Sequence, residues 1–223
     1  ESELLPELEP VKATKVNVPL RQGTSKADPL RKDQYYLDLM GIPSVWASGK
    51  VQKEIVVAVV DTGVDLQHPD LKDKLVPGWN ASAPGQPPQD GAGHGTMCAG
   101  LVGAMADNGQ GISGIASNAK IMPVKVGNSA SSVVDAMMWA ADHADMITMS
   151  LSFKPNMSEY PAAVETTKRA AAYVMSKKIP MVCSMGNTGN EQKNVPSAFA
   201  GNEVPDLIAV GATDANDKVT SFS

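Results

Sequence analysis

The chain has 223 residues, of which 43% are hydrophobic and 19% are charged, and its net charge at pH 7 is −5. This balance is typical of a folded globular protein and excludes an intrinsically disordered one. The weakly acidic charge, with four Tyr and three Phe residues, argues against a nucleic-acid-binding protein, and no apolar run approaches the ~18 residues of a membrane-spanning helix.

Residues 1–27 are predicted to be a linker or the end of a removed segment. They contain three prolines and show no sustained hydrophobic periodicity. Gly23-Thr24-Ser25 lies in this stretch, and a serine between small residues is how many hydrolases present a nucleophile. We interpret Ser25 as a linker residue, because charged residues follow it where an apolar helix would be needed. Since the chain begins at Glu1 and not at a methionine, we expect a processed or partial sequence.

Five short runs rich in Val, Ile or Met are predicted to form strands. They lack polar alternation, as strands buried on both faces do. The runs cover residues 55–60, 121–126, 146–151, 180–184 and 207–210. Two cysteines, Cys98 and Cys183, lie in similar apolar stretches and are predicted to be buried thiols.

Helical patterns lie between these runs. Ser132 is predicted to begin a capping box and a helix as far as Asp142, and Pro161 is predicted to open a helix that ends on Lys177-Lys178. The inward positions are Val133, Met137 and Ala140 in the first helix and Val164, Ala171 and Met175 in the second. Strands that alternate with helices predict an α/β fold, with a mostly parallel sheet and helices on both faces. Functional residues of such sheets gather at the carboxyl ends of the strands.

Asp61 and His94 are the first candidates for chemistry. Asp61, in VVAVVDTGVDLQHPDL, directly follows the most hydrophobic run, where it could serve chemistry or cap the next turn. His94, in DGAGHGTMCAGLVGA, lies at the start of a small-residue helix over residues 96–104, and it could be a functional or a capping histidine. The three histidines form no HExxH or similar spacing, so we expect no zinc site.

Asn187, in VCSMGNTGN, follows the run at 180–184 and is flanked by Gly186 and Gly189. It could be a turn residue, or its amide could stabilise a developing oxyanion. A Rossmann nucleotide-binding domain would need GxGxxG directly after the first strand, and residues 61–65 do not supply it.

In this order, the motifs resemble those of the subtilisin-like serine proteases, the subtilases. VVDTGVDLQHPDL is similar to their aspartate motif, GHGTMCAG to their histidine motif and MGNTGN to their oxyanion motif. The resemblance runs from about Asp28 to Ser223, so we expect a three-layer subtilisin-like peptidase domain over residues 28–223, preceded by a linker or propeptide end at 1–27. It implies that Asp61 orients His94, that His94 is the general base and then the general acid, and that Asn187 binds the oxyanion.

The resemblance also implies a serine that heads an apolar helix, and no such motif follows residue 187. We therefore expect the chain to end before its catalytic serine. The alternative is a non-catalytic subtilase-like domain that binds peptides or partners, and finding no GTS-type serine farther along the protein would favour it.

Substrate binding is expected at Ser150, Leu151, Ser152 and Gly186, which match the subtilase strand that pairs with an extended peptide. Structural calcium is expected from the same resemblance, with Asp28, Asp70 and Asn108 as ligands. The implied partners are polypeptide substrates and the protein's own propeptide. We expect a monomer that is secreted or lies in the secretory pathway and that binds no nucleic acid.

Overall fold

The computed structural model describes residues 27–49, 53–116, 118–152, 161–189, 194–201 and 203–223. Ser25 and nearly all of the predicted linker lie outside the described residues. The domain boundary at Asp28 therefore stays a prediction.

Six strands in the described part of the chain form one sheet. They are β1 (Val56–Asp61), β2 (Trp79–Asn80), β3 (Lys120–Lys125), β4 (Met146–Met149), β5 (Met181–Ser184) and β6 (Leu207–Val210). Their order is β2-β3-β1-β4-β5-β6, and every neighbouring pair is parallel. The predicted parallel sheet is confirmed, and each predicted strand lies within two residues of an observed one. The two-residue strand β2 was not predicted.

The helices of the described residues are α1 (Tyr35–Leu39), α2 (Ile42–Ala47), α3 (His94–Gly103), α4 (Ala130–His143) and α5 (Pro161–Ser176). None of them is both long and apolar enough to cross a membrane. The prediction that Ser132 caps α4 is wrong by three residues. Ser129 has an extended backbone at the N-cap, and its side chain accepts a hydrogen bond of 3.2 Å from the Ser132 N–H.

Helices cover both faces of the sheet, as predicted. Because side chains alternate along a strand, Ala58 and Val60 of β1 pack into a cluster with α4 and α5, whereas Val59 packs into a second cluster with Ala99 of α3. Because these strands are parallel, the carboxyl ends of β1, β4 and β5 share one edge of a three-layer structure, and the candidate residues lie at these ends or just after them.

Strand β6 departs from the predicted burial on both faces. Ile208 and Val210 are about half exposed, at 50% and 46%. In the described part of the chain β6 is the last strand of the sheet and pairs with β5 alone. An edge position therefore explains the exposure of an apolar strand.

Candidate active site

Asp61 ends the central strand β1, and its side chain is only 2% exposed. The carboxylate oxygen Oδ1 accepts a hydrogen bond of 2.7 Å from the Thr62 N–H, and it lies 2.7 Å from Nδ1 of His94. The carboxylate is thus held at the sheet edge, and it faces a second ionisable group.

His94 is the first residue of α3, and half of its side-chain surface is exposed. The preceding residue, Gly93, has φ of 87° and turns the chain into the helix. With Nδ1 against Asp61, the other ring nitrogen, Nε2, is left to exchange a proton with a group outside the pair. A buried carboxylate beside an accessible imidazole is an arrangement suited to general acid–base chemistry.

Gly95 allows this contact between α3 and β1. A Cβ at this position would lie 2.1 Å from the Gly63 carbonyl oxygen and 3.1 Å from the Asp61 Cβ. Any larger residue would therefore force the start of α3 away from the end of β1.

Cys98 joins this cluster, and sequence reasoning did not assign it there. Its Sγ lies 3.8 Å from Nδ1 of His94. One carboxylate oxygen of Asp61, one ring nitrogen of His94 and the Sγ of Cys98 all lie within 4.8 Å of one another. Burial raises the pKa of Cys98, and the charge of Asp61 raises it further, against a hydrogen bond from Ser150 that lowers it. Cys98 is only partly buried, unlike Cys183, so the predicted burial holds for Cys183 alone. The sequence did contain a signal for this contact, because Cys98 is four residues after His94 and residues with this spacing lie side by side on a helix.

Asp90 is a second residue that sequence reasoning missed. Its carboxylate accepts hydrogen bonds from Thr62 and from the first turn of α3. Burial raises its pKa, but hydrogen bonds from the Thr96 side chain and from the N–H groups of Ala92, Gly93 and Thr96 outweigh burial and hold that pKa well below its usual range. Asp90 is therefore charged at neutral pH.

The predicted substrate residues follow β4 and β5 at the same sheet edge. Ser150 is exposed, while Leu151 and Ser152 are partly buried. Gly186 has φ of 99°, and a Cβ there would lie 3.3 Å from Oγ of Ser152, so the two strand exits are adjacent. The exposed Asn187 follows Gly186 and makes no hydrogen bond to a described residue.

Asp28, Asp70 and Asn108 come together away from this edge. Asp28 accepts the N–H groups of Asn108 and Gly109 on Oδ1, and the Asp107 N–H and the Ser113 hydroxyl on Oδ2. These four bonds fill the acceptor sites of the carboxylate.

Asp70 takes the amide N–H of Asn108 on Oδ1 and the Ile112 N–H on Oδ2. The Asn108 side-chain oxygen accepts the Gln110 N–H. Every side-chain oxygen of the three residues thus accepts at least one hydrogen bond, and as arranged the cluster does not fit a calcium ion, which needs several free oxygens. It acts as a hydrogen-bonded joint between the start of the described chain and the loop at residues 107–113.

Comparison with known proteins shows the family of this chain. Residues 52–223 match the subtilase family, peptidase S8. This chain belongs to the subtilase family. Over 198 residues the subtilase is 36% identical to thermitase of Thermoactinomyces vulgaris, an alignment that covers 85% of this chain and 66% of thermitase. It is 34% identical over 197 residues to the major intracellular serine protease of Bacillus subtilis, covering 81% of this chain and 58% of that protein.

Solved structures agree with the fold of this subtilase. A protease from Pseudoalteromonas arctica superimposes with a TM-score of 0.73 at 25% identity, over 89% of this chain and 69% of that one. The nisin leader peptidase NisP of Lactococcus lactis gives a TM-score of 0.73 at 20% identity, over 86% of this chain and 65% of that one, and it shows the fold alone. The chain thus spans part of the length of each of these relatives.

Proposed function

We propose that the full-length protein is a serine endopeptidase that hydrolyses peptide bonds through an acyl-enzyme intermediate. The observation that carries the proposal is the 2.7 Å contact between Nδ1 of His94 and Oδ1 of Asp61, in a chain of the subtilase family. The buried carboxylate favours the proton on Nδ1 and stabilises the imidazolium that forms when Nε2 accepts a second proton. Asp61 is therefore proposed as the orienting residue and His94 as the general base.

The proposed nucleophile is a serine outside these 223 residues. No serine of the described part hydrogen-bonds to His94, and the chain covers 66% of thermitase and 58% of the Bacillus subtilis protease. Nε2 of His94 would remove the hydroxyl proton while the serine oxygen attacks the scissile carbonyl carbon. The same nitrogen would then protonate the departing amine, and water would hydrolyse the acyl-enzyme in a second round.

Asn187 is proposed to stabilise the tetrahedral intermediate. It follows β5 at the edge where β1 presents Asp61, and its side chain is exposed and free of hydrogen bonds to the described residues. An amide N–H placed there can donate to the developing oxyanion. The adjacent exits of β4 and β5 are proposed to pair with an extended substrate backbone. The residues at these exits are Ser150, Leu151, Ser152 and Gly186.

The experiment is to treat the full-length protein with a fluorophosphonate, a reagent that phosphonylates activated serines, and to locate the adduct by mass spectrometry. We expect one labelled serine in the wild type, and labelling slowed by at least two orders of magnitude in His94→Ala. His143→Ala is the matched control, because His143 stacks on Trp139 on α4 and should not affect labelling. Equal labelling of His94→Ala would contradict the proposal, and a wild type that neither labels nor cleaves peptides would favour the non-catalytic alternative.

A further inference from the structure

Asp90 lies four residues before His94, and its carboxylate connects two elements of the site. Oδ1 accepts hydrogen bonds from the Thr62 hydroxyl at 2.9 Å, from the Ala92 N–H at 2.8 Å and from the Gly93 N–H at 2.9 Å. Oδ2 accepts the Thr96 N–H at 3.0 Å and the Thr96 hydroxyl at 2.6 Å. One side chain therefore takes five donors, from the exit of β1, from the loop and from the first turn of α3.

Thr62 and Thr96 extend these contacts to residues next to Asp61 and His94. Thr62 follows Asp61, and its hydroxyl oxygen accepts the Gly95 N–H at 2.9 Å while the hydroxyl donates to Asp90. Thr96 accepts the Asp65 N–H at 2.9 Å, also while donating to Asp90. The residue after Asp61 and the residue after His94 are thus joined directly, and Asp90 orients the hydroxyl that joins them.

The start of α3 depends on these bonds because its own N-cap supplies none. Gly93 has no side chain to accept the first N–H groups of the helix. Thr62 and Asp90 accept those of Gly95 and Thr96 instead. A negative charge at a helix N-terminus is also favourable with respect to the helix dipole. His94, the first residue of α3, is fixed by the same contacts.

We propose that Asp90 is a positioning residue, which sets the separation between Asp61 at the end of β1 and His94 at the start of α3. The effect on turnover rests on the proposed peptidase function, whereas the geometric effect does not. No hydrogen bond joins the Asp90 carboxylate to the imidazole of His94, and we assign Asp90 no proton exchange with substrate. Its action is through Thr62, Thr96 and the backbone that carries the imidazole.

The first test is Asp90→Asn in the full-length protein. The asparagine keeps one acceptor oxygen but places an NH₂ group opposite the Thr96 N–H. We expect kcat to fall on the order of 10²-fold with KM nearly unchanged, because a small displacement of a catalytic group costs about this much. Asp214→Asn is the matched control, since Asp214 also accepts backbone N–H groups, in a surface turn, and should leave kcat unchanged.

Thr62→Val and Thr62→Ser give a second test that preserves packing. Valine has the shape of threonine without its hydroxyl, so we expect kcat to fall as in Asp90→Asn, and serine should restore most of it. The NMR signal of the His94 Nδ1 proton, in protein labelled with ¹⁵N-histidine, should broaden and exchange faster in Asp90→Asn and Thr62→Val but not in Asp214→Asn.

Two results would overturn the assignment. One is that Asp90→Asn and Thr62→Val lower the melting temperature but leave kcat and the Nδ1 signal as in the wild type. Asp90 would then be only a helix cap. The other is an equal loss in Thr62→Ser. If the wild-type protein cleaves no peptide, the proposed function fails, but the Nδ1 signal still decides whether Asp90 positions His94.

Discussion

Asp61 and His94 differ in their surroundings in the way that a proton-transfer pair requires. The Asp61 side chain is 2% exposed and the His94 side chain is 50% exposed, although the two are in contact. The Thr62 N–H donates to the same carboxylate oxygen, Oδ1, that faces the imidazole. The imidazole can therefore meet an incoming group without losing the partner that orients it.

Cys98 offers a test of the environment around this pair. Because its pKa is raised, the reactive thiolate is scarcer at pH 7 than in an ordinary cysteine. We expect slow alkylation of Cys98 by iodoacetamide at pH 7 and a rate that still rises above pH 9. Peptide mass spectrometry would follow the reaction.

Cys183 is the internal control for that measurement. It is buried, and burial raises its pKa to about 12. It should react only when the protein unfolds. Fast labelling of Cys98 with no dependence on pH would contradict the described environment.

The packing of α3 on β1 predicts that alanine substitutions at two nearby glycines differ in their effect on stability. Gly95→Ala would place a Cβ 2.1 Å from a backbone oxygen, so we expect a loss of about 1–3 kcal/mol in the free energy of unfolding and a lower kcat. Gly91→Ala is the control, because a Cβ there meets nothing within 4 Å. Denaturant unfolding of both variants measures the difference, and equal stability would show that α3 does not lie as close to β1 as described.

The apolar runs were sufficient to predict five of the strands, because burial on both faces leaves a continuous signal in the sequence. The helices α1 and α2 were not predicted, since five or six residues carry too little periodicity. Ser129 and Ser132 are equally good caps by residue type, and only the backbone conformation of Ser129 distinguishes them.

The site was predictable where a residue ends a strand or begins a helix, as Asp61 and His94 do. Asp90 has no such mark. Its importance comes from contacts with Thr62, 28 residues away in the chain, and with Thr96. Tertiary contacts of this kind cannot be inferred from spacing in one sequence.

For the molecule as a whole, the cluster at Asp28 ties the start of the described chain to a distant loop. Besides the four bonds to Asp28, the Leu30 N–H donates to the Gly111 carbonyl, and Gln34 exchanges two hydrogen bonds with the Ser113 backbone. These contacts join residues about 80 positions apart. Such a connection should stabilise the entire domain and not one element.

We expect Asp28→Ala to lower the free energy of unfolding by about 2–4 kcal/mol, because it leaves the buried Ser113 hydroxyl and three partly buried N–H groups without a charged acceptor. Asp33→Ala, at an exposed aspartate of the same segment, is the control and should have little effect. We also expect the same melting temperature with calcium and with a chelator, since donors fill the acceptor sites of Asp28. A large calcium-dependent increase would show that the loop rearranges around an ion, as the sequence resemblance implies.

The most direct test of the central claim is a double-mutant cycle on kcat/KM for peptide hydrolysis by the full-length protein, with Asp61→Asn, His94→Ala and both together. If the two residues form one acid–base unit, each single change should reduce kcat/KM on the order of 10⁴-fold or more, the scale known for triads of this kind, and the double variant should be no worse than His94→Ala. Losses that multiply in the double variant, or a His94→Ala protein as active as the wild type, would contradict the account.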